Sequence, residues 1–205
     1  MKILKIYPTS INEQHIGEAV EALRDGHLII YPTDTLYAIA CSALNQAAIE
    51  RLCNLKGINP QKEFLSIVCA DISQASEYAR IDNKAFRMLK DNLPGEFTFI
   101  LPASTTLPKV FKGRKTVGVR VPDNPIATSL ARKLGNPLLT TSVKPDDDGT
   151  PESVSNPDCV ALNYTGKVDL MIDGGDVSGV PSTIVDITDS SNPEIIREGA
   201  GELKN

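Results

Sequence analysis

The sequence predicts one α/β domain built on a mixed, twisted β-sheet with flanking helices. Three observations lead there. Strand-like and helix-like segments alternate through the first two thirds of the chain, and the last third holds strands with almost no helix between them. No linker or fixed-period repeat divides the 205 residues, a length that suits one domain. A doubly wound parallel sheet would need a helix between each pair of late strands, so a mixed sheet fits better.

The elements follow in order. Residues 1–7 read as a short strand. Ser10 and Glu13 form a capping-box pattern, after which Ile16, Ala19, Val20 and Leu23 recur at helical spacing up to Gly26. HLIIY (27–31) is a buried strand stopped by Pro32, and residues 36–40 resume extended structure after the Thr33-Asp34-Thr35 turn. Asn45 caps a second helix that ends at Gly57. LSIVC (65–69) is a strand. Asp71 and Asp82 cap two further helices, the second with Ile81 and Phe86 spaced as a hydrophobic staple. FTFIL (97–101) and TVGVRV (116–121) are strands, and Asn124-Pro125 opens a helix closed by Gly135. LLTTSV (138–143) is a strand, 144–157 a polar mobile loop, and VDLMI, STIVDIT and EIIRE the closing strands.

Composition narrows the function. Hydrophobic residues are 41% of the chain, and with 14 glycines they bring the apolar share near the ordinary globular range. That is enough for a core and excludes intrinsic disorder. A net charge of -5 excludes a polybasic protein, so any nucleic-acid contact must come from a local basic pocket. The N-terminus lacks the apolar stretch of a signal peptide, and the apolar runs fall far short of the ~20 residues a membrane helix needs. A soluble, cytoplasmic protein with no membrane partner is expected. Cys41, Cys53, Cys69 and Cys159 contain no C-x-x-C pair and read as reduced core residues. With only His15 and His27, both expected to be solvated, neither a zinc site nor a Ser-His-Asp triad is expected. Chemistry here would work by binding, orientation and electrostatics.

Four segments carry more hydroxyls, glycines and cations than packing requires. Tyr31-Pro32-Thr33-Asp34-Thr35 sits at a strand end, where open sheets bind ligands. Lys56-Gly57 closes a helix and by itself reads as a solvated cap. Arg120 alternates with valines in the 116–122 strand, where a guanidinium needs an anionic partner, from the protein or from a ligand. The fourth comprises Thr140, Thr141 and Ser142 with 181–186 and Arg197-Glu198-Gly199. P-loop and Rossmann fingerprints are missing, and the Asp146–Asp148 run lacks the glycine and final glutamate of an EF-hand.

Taken in order, Y-P-T-D-T-x-Y (31–37), L-x-x-L-K-G (52–57), V-G-V-R-V-P (117–122), T-S (141–142), P-S-T-I-V-D (181–186) and R-E-G (197–199) resemble the YrdC-like family of threonylcarbamoyl-AMP synthases, over residues 10–200. The resemblance implies a single domain, without the extra C-terminal domain of longer relatives, around a deep positive cavity. It implies binding of ATP or AMP with Mg2+, of threonine and of bicarbonate, and a link to threonylcarbamoylation of tRNA adenosine, with tRNA or double-stranded RNA as a partner. Carried across, Lys56, Thr116, Ser142, Lys144 and Arg197 would meet the nucleotide, and Thr35, Arg120, Thr140 and Ser182 the threonine. No metal-ligating residue is implied. Three positions depart from the family pattern. Ile58 stands where the K-x-R clamp has arginine, Lys144 where the S-x-N element has asparagine, and Asn124 lies in the usual Pro-His-Pro region. An aliphatic side chain cannot replace a planar five-donor fork. These departures resemble the divergent YciO branch. The expectation is a nucleotide-binding protein of that type; the alternatives are an active synthase and an interaction protein with a vestigial pocket.

Overall fold

A computed structural model describes residues 1–59, 66–107 and 115–204. The strands are β1 (Lys2–Lys5), β2 (Ile29–Pro32), β3 (Tyr37–Ser42), β4 (Ser66–Val68), β5 (Phe97–Pro102), β6 (Thr116–Arg120), β7 (Leu138–Ser142), β8 (Leu170–Asp173), β9 (Thr183–Asp186) and β10 (Glu194–Arg197). They form one ten-stranded sheet in the order β1-β8-β2-β3-β7-β4-β6-β5-β9-β10. Its pairings are mixed, as expected: β4 runs parallel to β6 and antiparallel to β7, for example. β1 pairs with β8, so the sheet includes residues ahead of position 10.

The helices are α1 (Glu13–Arg24), α2 (Gln46–Lys56), α3 (Ile72–Tyr78), α4 (Asn83–Asn92), α5 (Pro125–Leu134), α6 (Glu152–Ser155) and α7 (Pro157–Tyr164). Because side chains alternate across a strand, the buried residues separate onto two faces. One face carries Ile30, Ile39, Ile67, Phe99, Val119 and Leu139, and packs on α2, α3, α4 and α7. The other carries Ile29, Tyr31, Ala40, Val68 and Leu138, and packs on α1 and α5. Those two helices pack on each other and reach β2, β3, β8 and β4. Farther along the same face, over β6, β5 and β9, Gly118, Arg120 and Thr98 stand beside Ile100 and Ile184, and there the candidate site lies.

Asn45, Asp71, Asp82 and Asn124 cap their helices as the sequence predicts, with side-chain oxygens accepting backbone N–H groups. Several expectations are corrected. The α1 cap is Asn12, whose carboxamide oxygen accepts from Gln14 N and His15 N, while Ser10 closes a turn with Tyr7. His15 is only partly exposed, with Nδ1 3.1 Å from Lys5 O. Ile81 packs against the core, and Phe86 is half-exposed. The expected 144–157 loop contains α6, and α7 follows directly. Asn156-Pro157 opens α7 with the cap-and-proline signature seen at Asn124-Pro125. With Leu162 81% exposed, its apolar stripe gave no helical period to read. Leu65, counted into the β4 segment, lies outside the described residues.

Candidate anion-binding cavity

The floor of the site is one cross-strand row, Ala40–Thr140–Ser66–Gly118. Its side chains are short, and a side chain at Gly118 would crowd its neighbours. A Cβ there would come 2.6 Å from Ser66 Oγ and 3.2 Å from Thr98 Cγ2. On the same face, β6 carries Thr116 at its start and Arg120 at its end, about 13 Å apart at strand rise. Two groups of cations flank the floor.

The Arg120 end is built from five segments. Arg120 is 7% exposed. Its Nη2 donates to Asp34 Oδ1 at 2.8 Å and to Thr35 Oγ1 at 3.0 Å. The anionic partner that a strand arginine demands is therefore supplied from within the chain, by the Pro-Thr-Asp-Thr turn. Thr33 Oγ1 receives the backbone N–H groups of Thr35 and Leu36 and lies 3.0 Å from Thr35 Oγ1, which fixes the turn. Asp34 Oδ2 accepts Asp123 N–H at 2.9 Å. Burial pushes the Asp34 carboxyl above its ordinary value, against the pull of Arg120. The Arg120 Nε–H is buried with no acceptor among the described residues. Ser182 Oγ lies 2.9 Å from Thr98 Oγ1, and Ser182 O accepts from Arg197 Nη2 at 2.6 Å. Burial, and then the nearby charge of Arg120, lower the Arg197 pKa. Arg197, assigned to the nucleotide by resemblance, thus stands with Ser182 and near Arg120.

The Lys56 end is made by the C-terminus of α2 and the exit of β7. Lys56 is 7% exposed, so it is no solvated cap. Its Nζ donates to Ser142 O, and Lys144 Nζ donates to Lys56 O at 2.8 Å. Tyr164 on α7 accepts Lys144 N–H at 2.8 Å, so the helix missed from sequence fixes this corner. Burial, helped by the neighbouring Lys144 charge, lowers the Lys56 pKa to about 8. The ion pairs of the described residues involve neither lysine. Ile58 packs against the core of the opposite sheet face.

Thr140, between the ends, is 6% exposed with Oγ1 3.0 Å from Tyr31 OH. Burial raises the Tyr31 phenol to about 12, so it stays neutral. Thr116 is half-buried and opposite Pro102. Sequence reasoning missed Asp34, Thr98 and Ser66 as site residues. Asp34 had a signal, being the acid in the turn motif. Thr98 and Ser66 had none beyond ordinary strand composition. Among the described residues no group of three or more His, Cys, Asp or Glu converges, and no helix is long and apolar enough to cross a membrane. Convergent cations and hydroxyls suit oxyanions; a magnesium ion here would be carried chiefly by a nucleotide's own phosphates.

Fold and site together define an α/β protein whose buried cations and hydroxyls gather at the ends of β6, β7 and β9. The chain belongs to the Sua5–YciO–YrdC family, described as telomere recombination, which matches residues 21–199. It is 39% identical to YciO of Escherichia coli, over 97% of this chain and 96% of that one. The crystal structure of E. coli YciO superposes with a TM-score of 0.88, covering 98% of both chains. A putative threonylcarbamoyl-AMP synthase of Methanocaldococcus jannaschii is 34% identical over 97% of this chain and 93% of its own length. Sua5 of Pyrococcus abyssi, complexed with L-threonine, is 32% identical with a TM-score of 0.86; the match covers 97% of this chain and 58% of Sua5.

Proposed function

We propose that this protein binds an adenine nucleotide, ATP or AMP with Mg2+, at the Lys56–Lys144 end of the cavity, and a threonine-like amino acid at the Arg120 end, in a role linked to threonylcarbamoyladenosine in tRNA. The observation that carries this is the lysine pair: a nearly buried Lys56 ammonium within reach of the charge of the exposed Lys144, with no carboxylate in an ion pair with either among the described residues. Such an arrangement is costly unless an anion completes it. Sua5 bound to L-threonine supports the amino-acid half, since Thr35, Arg120 and Ser182 offer a guanidinium and hydroxyls to a carboxylate.

Ile58 favours binding over turnover. It packs into the core and offers no donor to a triphosphate, and lysine holds phosphate as a flexible point charge, without bidentate orientation. Nucleotide binding therefore outlasts efficient synthase turnover. RNA affinity, confined to these few cations on an acidic chain, is modest and steeply salt-dependent. The test is thermal melting with millimolar ATP and Mg2+, alongside pyrophosphate release with ATP, threonine and bicarbonate. A melting rise with slow or undetectable release is expected, because a ligand that binds only the native state stabilises it. No rise in melting temperature would defeat the reading, and brisk release would make the chain a synthase.

A further inference from the structure

The two ends of the cavity differ in charge. Lys56 and Lys144 stand together without a carboxylate among the described ion pairs. At the other end, Asp34 lies against the guanidinium of Arg120, with the two side chains 6% and 8% exposed. Both Asp34 oxygens are fixed from within the chain, by Arg120 Nη2 at 2.8 Å and by Asp123 N–H at 2.9 Å. Asp123 and Glu96 add negative charge beside them. What remains for a ligand is the buried, unpaired Nε–H of Arg120, the nearby Arg197 and a set of hydroxyls. These are directed donors in surroundings close to charge balance.

We propose that Asp34 is the specificity-determining residue of this cavity: its fixed carboxylate lets the Arg120 end accept a singly charged carboxylate and keeps phosphate out, so that phosphate is confined to the Lys56 end. Part of this rests on the nucleotide reading above; the exclusion at Arg120 does not. The physical reason is an asymmetry of charge. A carboxylate brings one negative charge, which Arg197 and the free Arg120 donor can meet. A phosphate brings up to two and must place them a few ångströms from the Asp34 oxygens, at low dielectric, against an arginine already paired. Rejection by a fixed like charge is a recognised source of specificity. The effect also orients a ligand that carries both groups.

The probe is inorganic phosphate, titrated calorimetrically into protein saturated with AMP, so that only the Arg120 end is open. Wild-type protein should show no phosphate binding there. Asp34→Asn, isosteric and still able to accept Asp123 N–H, should bind one phosphate at least ten-fold more tightly than wild type. Asp34→Ser should do the same, which covers failure of the first variant to fold. Asp34→Glu keeps the charge and should go on excluding phosphate, an outcome that a mere packing role would not give. Adding Arg197→Gln to Asp34→Asn should remove the gained site. Equal phosphate binding by wild type, Asp34→Asn and Asp34→Ser overturns the inference, as does a gain in Asp34→Glu as large as in Asp34→Asn. If wild type fails to bind AMP, the proposed function falls, and the same titrations without AMP still decide the role of Asp34.

Discussion

Lys56 carries the most direct consequence at the level of single residues. Burial first, and Lys144 second, bring its pKa from 10.5 to about 8. The folded chain therefore binds fewer protons than the unfolded chain between those values, and this group's contribution to stability rises as pH climbs through that window. Anion binding runs the opposite way, because it needs the ammonium form. ATP affinity should fall as pH rises past about 8 while the free protein gains stability. Lys56→Met should stabilise the free protein at pH 7 by about 1–3 kcal/mol and abolish the ATP-induced melting shift. Urea unfolding at pH 7 and pH 10 checks the cause, since the gain should largely vanish at the higher pH. An equal gain at both would mean that buried charge is not its origin.

At the level of elements, α2 ends where the site begins. Gly57 adopts the left-handed conformation, with φ of 65°, and a Cβ there would meet nothing within 4 Å. Its substitution cost is therefore backbone strain alone, about 1 kcal/mol for Gly57→Ala and less for Gly57→Asn. That helix end presents Lys56 to Ser142 and offers the Lys56 carbonyl to Lys144. Gly57→Ala should accordingly lower ATP affinity several-fold, more than Gly57→Asn, as read by calorimetric titration beside urea unfolding. If both variants bind ATP like wild type, the cap does not set the lysine geometry. Gly118 constrains the floor in another way, through contact with Ser66 and Thr98 and not through backbone freedom.

Across the whole molecule, the last residues tie the far side of the sheet to α4. Gly201 O accepts from Thr183 Oγ1 at 2.7 Å, and Ala200 N donates to Pro181 O at 2.9 Å. Asn92 and Lys204 exchange two bonds, and Gly201 lies against the Phe97 ring. These contacts hold β9 and the Ser182 backbone from behind. Deleting residues 199–205 should cost about 2–4 kcal/mol, from exposure of Phe97 and loss of several hydrogen bonds. The deletion should also weaken threonine binding, through Ser182. Thermal melting and a threonine titration check the two effects, and a deletion that melts like wild type would show the segment to be a passive tail.

Read alone, the sequence determined the fold class, because alternating and helical apolar periods are local and each strand needed only its own pattern. It determined the side-chain caps at Asn45, Asp71, Asp82 and Asn124 and the glycine at the end of α2, since capping is settled within four residues, though it placed the α1 cap at Ser10 instead of Asn12. The motif order also settled the family. What needed the tertiary structure was every property that depends on residues far apart in the chain. Arg120 finds Asp34 from a segment 86 residues earlier. Lys56 stops being a solvated cap only because β7 and Lys144 close over it. Asn156-Pro157 opens a helix whose stripe is too weak to read, yet whose Tyr164 fixes Lys144. The division of charge between the two ends of the cavity likewise belongs to the fold, because charges interact through space whatever their order along the chain.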